Sequence, residues 1–278
     1  QPSAAGPAAP GQVSLVAGVD AVDARTLLRL ALVPGAVWIA SLAARRWGHA
    51  VSGYLGGLPM IGGPITLYLA IDYGPQFAAR SATFTLAVIL GQAAHLLAFS
   101  HAGRVVRWPL ALAAGWGSFL AVALAVVLLS PSAPLALLLA ATGLAAAWRW
   151  LPRPRAASQP PAIPRAELRL RLVAAFVLAA AILAAARAFG PVVSGVMLSV
   201  PVTGSIMPPF TLALYGPDAL ARLVRGFVVG LSGFAAFFFV LAAGLATLGI
   251  VAGFAAAVAG ALGAVFAVAH LARRGAKP

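Results

Sequence analysis

The sequence predicts an all-α polytopic membrane protein with nine transmembrane helices, arranged as a 4+1+4 inverted repeat. Three observations carry this prediction: long apolar runs, an uneven distribution of basic residues and an internal duplication. The 278 residues are 62% hydrophobic and only 9% charged, with a mean hydropathy of +1.00. A soluble protein of this size needs far more surface charge. Because the apolar runs are continuous and about 20 residues long, they indicate spanning helices rather than the short alternating strands of a barrel.

Nine apolar runs qualify as spans. They cover roughly 27–44, 50–72, 81–100, 108–129, 134–150, 170–188, 192–214, 223–243 and 249–270. Residues 1–19 lack the basic start and compact apolar core of a signal peptide and predict a flexible tail. The organisation that follows is a first four-helix repeat at 25–130, a linker helix with a Pro- and Arg-rich cytoplasmic loop at 131–166, a second repeat at 167–271 and a basic cytoplasmic tail at 272–278.

The basic residues fall almost entirely on one side of this arrangement. With nine spans, 15 of the 19 Lys and Arg residues lie in loops on the side of the C-terminus, and four lie on the other side. The positive-inside rule therefore places the N-terminus outside and the C-terminus in the cytoplasm. The net charge of +14 does not indicate nucleic-acid binding, because the Arg residues sit between apolar runs. The high Ala, Arg and Gly content suits a high-GC bacterial source, and we therefore expect the protein in a bacterial inner membrane.

A duplication relates residues 45–95 to residues 187–237 with a constant offset of 142 and no gap. The two segments share 15 identities over 51 positions, where this composition would give roughly five by chance. Shared motifs include Val-Ser-Gly at 51–53 and 193–195 and Tyr-Gly-Pro at 73–75 and 215–217. The identities are mostly Gly, Pro, Ser and Arg, which indicates that both copies keep the same irregular backbone.

An odd number of spans separates equivalent points of the two copies, so we expect them to be inverted in the membrane. Inverted repeats around an axis in the membrane plane are the recurring architecture of secondary transporters. Spans two and seven carry the duplicated Pro and Gly residues, and we expect both helices to be interrupted near mid-membrane. Backbone unwound at that depth is tolerated only inside protein or beside a polar cavity.

The candidate substrate-binding residues surround these two interruptions. They are Ser52, Gly53, Pro59, Gly62, Ser194, Gly195, Pro201, Thr203, Gly204 and Ser205. The alternative interpretation is that both helices are merely kinked and pack closely through small residues.

Charged and titratable residues near the spans give two further sets of candidates. Gln92 and His95 share one face of the third span and could carry a proton, and Asp72 could bind an ion. Arg80 and Arg222 occupy the same position in each copy and could gate the path or hold an anionic headgroup. The alternatives are a satisfied buried histidine, an interfacial ion pair and lipid anchors.

The sequence contains no enzyme signature. His-Glu-x-x-His, Gly-x-Ser-x-Gly and the P-loop are missing, cysteine is absent, and no clustered His and acid set favours a metal site. We therefore expect a protein that is not an enzyme and that has no metal or cofactor.

The Ser-Gly, Pro and Gly pattern around residues 51–62 and 193–204 resembles small bacterial four-span membrane proteins of the GlpM-like kind. The inverted pairing is similar to that of drug/metabolite transporters. The resemblance covers about a quarter of each half, and the membrane-embedded Glu of small multidrug-resistance proteins has no counterpart here.

These observations favour a secondary transporter whose partners are the lipid bilayer and a small-molecule or lipid-like substrate. A strongly charged soluble substrate would need buried counter-charges that the spans do not supply. The alternative is a non-catalytic membrane scaffold or subunit of a larger membrane complex. A polar cavity at Pro59 and Pro201 would favour the transporter, and a closely packed centre would favour the scaffold.

Overall fold

The computed structural model describes residues 45–155 and 190–274, together with short pieces at 35, 38–39, 42, 168–170, 172–174 and 176–177. The predicted tail at 1–19 and the predicted loop beyond residue 155 lie outside the described residues, as do most of the spans predicted at 27–44 and 170–188. The described part is about 88% helical and contains no strand, which confirms the all-α prediction.

Eight helices make up the described part of the chain. They are α1 His49–Gly57, α2 Gly62–Tyr73, α3 Pro75–Ala87, α4 Ile89–Ala102, α5 Trp108–Leu129, α6 Ala133–Trp150, α7 Pro191–Leu198 and α8 Val202–Arg274. Helix α8 has non-helical glycines at 216 and 249, which divide it into α8a (202–215), α8b (217–248) and α8c (250–274).

Within the described residues, five helical stretches are long and apolar enough to cross a membrane. They are His49–Tyr73, Pro75–Ala102, Trp108–Leu129, Ala133–Trp150 and Pro191–Ala272. The last has 82 residues and contains the bends at Gly216 and Gly249. The stretch formed by α3 and α4 is the most buried, with 72% of its apolar window inside the protein, and so forms the centre of the bundle.

The turning points of the chain recur with the sequence offset of 142. Helices α1 and α7 both follow an N-cap glycine, Gly48 and Gly190. Gly74, at the first Tyr-Gly-Pro turn, has φ 90° and ψ 162°. Gly216, at the second, has φ 77° and ψ −176°. Positive φ is open to glycine without steric cost, and the following proline suits the first position of the next helix. The Tyr-Gly-Pro motifs therefore build the same turn twice.

Both helices predicted to be broken are interrupted. Helix α1 ends at Gly57 and α2 begins at Gly62, whereas α7 ends at Leu198 and α8 begins at Val202. These bounds confirm the predicted interruptions near Pro59 and Pro201. Each helix breaks there because a proline has no N–H to continue the helical hydrogen bonds.

Candidate functional site

The two interruptions share the same backbone hydrogen bonds. The first contains Leu58 N–H to Leu55 O (3.3 Å), Met60 N–H to Leu58 O (2.8 Å) and Gly63 N–H to Pro59 O (2.8 Å). The second contains Val200 N–H to Met197 O (3.2 Å), Val202 N–H to Val200 O (2.7 Å) and Ser205 N–H to Pro201 O (2.7 Å). Each bond of one set becomes a bond of the other when 142 is added to both residue numbers. The duplication thus preserves an irregular backbone and not only a set of residue types.

The interrupted helices meet where Gly56 of α1 faces Thr203 of α8a. The Cγ2 atom of Thr203 lies 3.1 Å from the position that a Cβ at Gly56 would take, and the Phe227 ring lies at 2.8 Å. Thr203 and Pro201 are buried, whereas Pro59 is half-buried. The crossing is therefore closely packed, and the cavity described below lies elsewhere.

Polar side chains of α4 bind the backbone on both sides of the second interruption. Gln92 Nε2 donates to the carbonyl of Ser199 at 2.7 Å, and His95 Nε2 lies 3.4 Å from the carbonyl of Gly204. Both side chains are buried. His95 Nδ1 faces Gly115 of α5 and has no hydrogen bond of ordinary geometry within the described residues. The structure thus joins two sets of candidates that the sequence analysis treated separately.

Hydroxyl groups add a second layer of bonds between α3 and α7. Thr85 Oγ1 donates to the carbonyls of Gly195 (3.0 Å) and Ser81 (2.9 Å). Ser199 Oγ donates to the carbonyls of Thr85 (2.9 Å) and Gly195 (3.1 Å). Sequence reasoning missed Thr85, and it noted Ser199 near the site but left it out of the binding residues, because a hydroxyl in a spanning helix usually bonds only its own preceding turn.

The first interruption is covered by aromatic rings instead. At the offset of 142, Thr85, Gln92 and His95 correspond to Phe227, Phe234 and Phe237. A Cβ at Gly62 would lie 3.1 Å from the Phe238 ring, and one at Gly63 would lie 3.3 Å from the Phe237 ring. One break is therefore held by hydrogen bonds and its counterpart by apolar contact.

Glycines bring α1 into backbone contact with α8b. A Cβ at Gly226 would overlap the Ala50 carbonyl, and one at Gly230 would overlap the Tyr54 carbonyl. Gly53 likewise has no room for a side chain beside the backbone of α8b. The facing glycines are four residues apart on each helix, a spacing that lets helix backbones approach closely in membranes.

The other predicted site residues are divided between the interior and the surface. Ser52 and Ser194 are buried, on α1 and α7. Asp72 lies exposed at the end of α2, whereas Gln92 and His95 are buried. Arg80 is exposed, whereas Arg222 is half-buried, so the two equivalent arginines have different surroundings. In addition, Ser205 Oγ is buried without a hydrogen-bond partner in the described part of the chain.

A cavity of about 900 Å³ lies at the end of the bundle that the basic residues predict to be cytoplasmic. It is bounded by the end of α4, the extended segment 151–155 and the first turn of α8b. The polar groups that line it are Ser100, Arg104, Arg149, Arg153, Arg155 and Asp218. Sequence reasoning missed it, because nothing in the pattern shows that 151–155 folds against 217–221.

Arg225 fixes the end of α6 beside this cavity. Its guanidinium carbon lies 4.3 Å from the centroid of the Trp148 ring, and Nη1 donates to the carbonyls of Trp148 (3.3 Å) and Leu151 (3.4 Å). A cation at a helix C-terminus binds carbonyls that have no partner in the helix. The 151–155 segment therefore leaves α6 in a defined direction.

No family model matches the chain, and neither a curated protein nor a solved structure matches it.

Proposed function

We propose that this chain is an integral membrane secondary transporter for an amphiphilic or lipid-like substrate, built from two inverted four-helix repeats around a pseudo-two-fold axis in the membrane plane. Its nine spans would lie in a bacterial inner membrane with the N-terminus outside. The substrate would bind where the interrupted helices cross, a contact that is closely packed in the structure and would have to open, with Arg80 and Arg222 at opposite mouths.

Reciprocal contacts support the pseudo-two-fold axis. Gly53 packs against the backbone of Leu223, and Gly195 packs against the backbone of Ser81. Adding 142 to the number of Gly53 and subtracting 142 from that of Leu223 gives the second pair. Such a reciprocal contact is the signature of a two-fold interface. The same shift of 142 residues turns the contact between Gly57 and Phe227 into the contact between Ser199 and Thr85.

The direction of the helices supports inversion. Gly53 and Gly57 contact successively later turns of α8b, so α1 and α8b run parallel. Helix α7 runs parallel to α3 in the same way, since Gly195 contacts Ser81 and the later Ser199 contacts Thr85. Because the chain turns back at Gly74 and Gly216, the interrupted helices of the two copies run in opposite directions.

The observation that carries transport is that the two equivalent interruptions are stabilised by different side chains. Carbonyls of Ser199 and Gly204 are bound by the side chains of Gln92 and His95. A substrate headgroup or water can replace such bonds if α7 moves away from α3 and α4. Discontinuous helices whose free backbone groups face a central site are the recurring binding element of transporters.

The second candidate function is a non-catalytic membrane scaffold or subunit. The close packing at Gly56 and the backbone contact at Gly226 favour it, because a bundle sealed throughout would have no path for a substrate.

Accessibility of single cysteines distinguishes these functions, since the 278 residues contain no cysteine. Ser52→Cys and Ser194→Cys are nearly isosteric changes at equivalent buried positions. In a transporter of inverted repeats we expect an impermeant thiol reagent to label one from outside and the other from the cytoplasmic side. Gln76→Cys, at an exposed position, is the labelling control. Two unreactive buried cysteines in folded protein would support the scaffold and contradict transport.

Topology reporters test the inversion separately. A reporter fused after Pro75 should score as external, and one fused after Pro217 should score as cytoplasmic. The reason is the asymmetry of 15 basic residues against four across the predicted membrane. If both fusions score on one side, the repeats are not inverted.

A further inference from the structure

We propose that the arginine-lined cavity beside the 151–155 segment is a binding site for a phosphate group, carried either by a lipid headgroup or by a soluble phosphorylated molecule. This inference does not depend on transport, because a scaffold with the same cavity would bind the same group.

The charges around the cavity are unbalanced. Four arginines, at 104, 149, 153 and 155, line it with one acid, Asp218. Within the described residues none of these guanidinium groups forms an ion pair, and the Asp218 carboxylate accepts a bond from the backbone N–H of Arg155 at 3.4 Å. Like charges held together repel each other unless an anion lies between them. The cavity is therefore suited to a multivalent anion.

The backbone that carries Arg153 and Arg155 is restrained, although the side chains of all four arginines are exposed. Proline at 152 and 154 fixes the backbone on either side of Arg153, which limits the conformations of the segment. Arg225 binds the carbonyl of Leu151, and His101 Nε2 lies 3.0 Å from the carbonyl of Trp150. An arginine on restrained backbone loses less entropy on binding than one on a free chain, and its guanidinium can hold phosphate oxygens bidentately.

Two further donors favour an anion with several oxygen acceptors, such as phosphate. Ser100, which lines the cavity, is 1% exposed, and its Oγ has no hydrogen-bond partner in the described part of the chain. A buried hydroxyl without a partner is costly unless a ligand supplies one. The first turn of α8b also lines the cavity, and the start of a helix favours negative charge. The volume of about 900 Å³ leaves room for the molecule that carries the phosphate.

Calorimetry on the purified full chain in an uncharged maltoside detergent tests this site. The probes are inorganic pyrophosphate, a short-chain phosphatidic acid below its micelle concentration and the matching phosphatidylcholine, whose phosphate is screened by choline. We expect saturable binding of pyrophosphate, phosphatidic acid or both, and weaker binding of phosphatidylcholine. Binding of phosphatidic acid alone assigns the site to a lipid, and binding of pyrophosphate alone assigns it to a soluble phosphate.

Variants locate the binding. Arg153→Gln combined with Arg155→Gln should raise the Kd about tenfold or more, because each removes charge-assisted hydrogen bonds. Arg107→Gln is the matched control, because Arg107 lies in the same loop as Arg104 but does not line the cavity. Its Kd should stay near that of the wild type. Ser100→Ala, a small change in the floor of the cavity, should also weaken binding. No saturable binding of either anionic probe, or equal losses in the double variant and in Arg107→Gln, would overturn the proposal.

Discussion

Gly226→Val should prevent α1 from docking on α8b and destabilise the protein by about 3 kcal/mol or more. Even a single Cβ at this position would overlap the Ala50 carbonyl and approach the Cα of Gly53. Because the obstructing atoms belong to the backbone, no side-chain rotation can relieve the overlap. Fluorescence-detected chromatography of heated, detergent-solubilised protein should show a midpoint lower by about 10 °C, or no monodisperse peak.

Gly117→Val is the control for this prediction. Gly117 lies on the exposed face of α5 with nothing within 4 Å of an added Cβ, so the same substitution should leave the midpoint almost unchanged. Equal midpoints for the two variants would show that α1 and α8b are not in backbone contact.

Gln92→Met should destabilise the protein by about 1–3 kcal/mol, although the side chain keeps its length. The change removes the donor to the Ser199 carbonyl, which then stays buried without its 2.7 Å bond. A carbonyl beside a helix interruption has no helical donor to replace it. The thermal midpoint of the purified variant, measured as above, checks the result.

Gln76→Met tests whether loss of any glutamine has this effect, since Gln76 is exposed on α3. Its midpoint should stay close to that of the wild type. A Gln92→Met protein as stable as the wild type would mean that the bond to Ser199 adds nothing to the second interruption.

The irregular backbone could be predicted from the sequence because breakers act locally. Pro59, Pro201, Gly74 and Gly216 each impose a conformation on their own residue and its neighbours. Their repetition at one offset was enough to locate two interruptions and two turns. The offset remains visible in the structure where no side chain is shared, as in the bond between Met60 and Leu58.

The tertiary partners could not be predicted in the same way. Gln92 and His95 were recognised as unusual residues in a span, but their spacing shows only that they share a helix face. Their contacts with Ser199 and Gly204 depend on how α4 packs against the second interruption. The position of Arg225 over Trp148 likewise joins residues 77 apart in sequence. These pairings follow from packing between spans, which no local pattern encodes.

The difference between the two interruptions has an energetic consequence if the two repeats exchange conformations during transport. Two identical repeats would give an outward-facing and an inward-facing state of equal free energy, each populated by half of the molecules. If this protein alternates between two such states, the phenylalanines that stand in the second copy at the positions of Thr85, Gln92 and His95 would make the free energies of the states unequal. A substrate could then reverse the resting preference only by as much as its affinities for the two states differ.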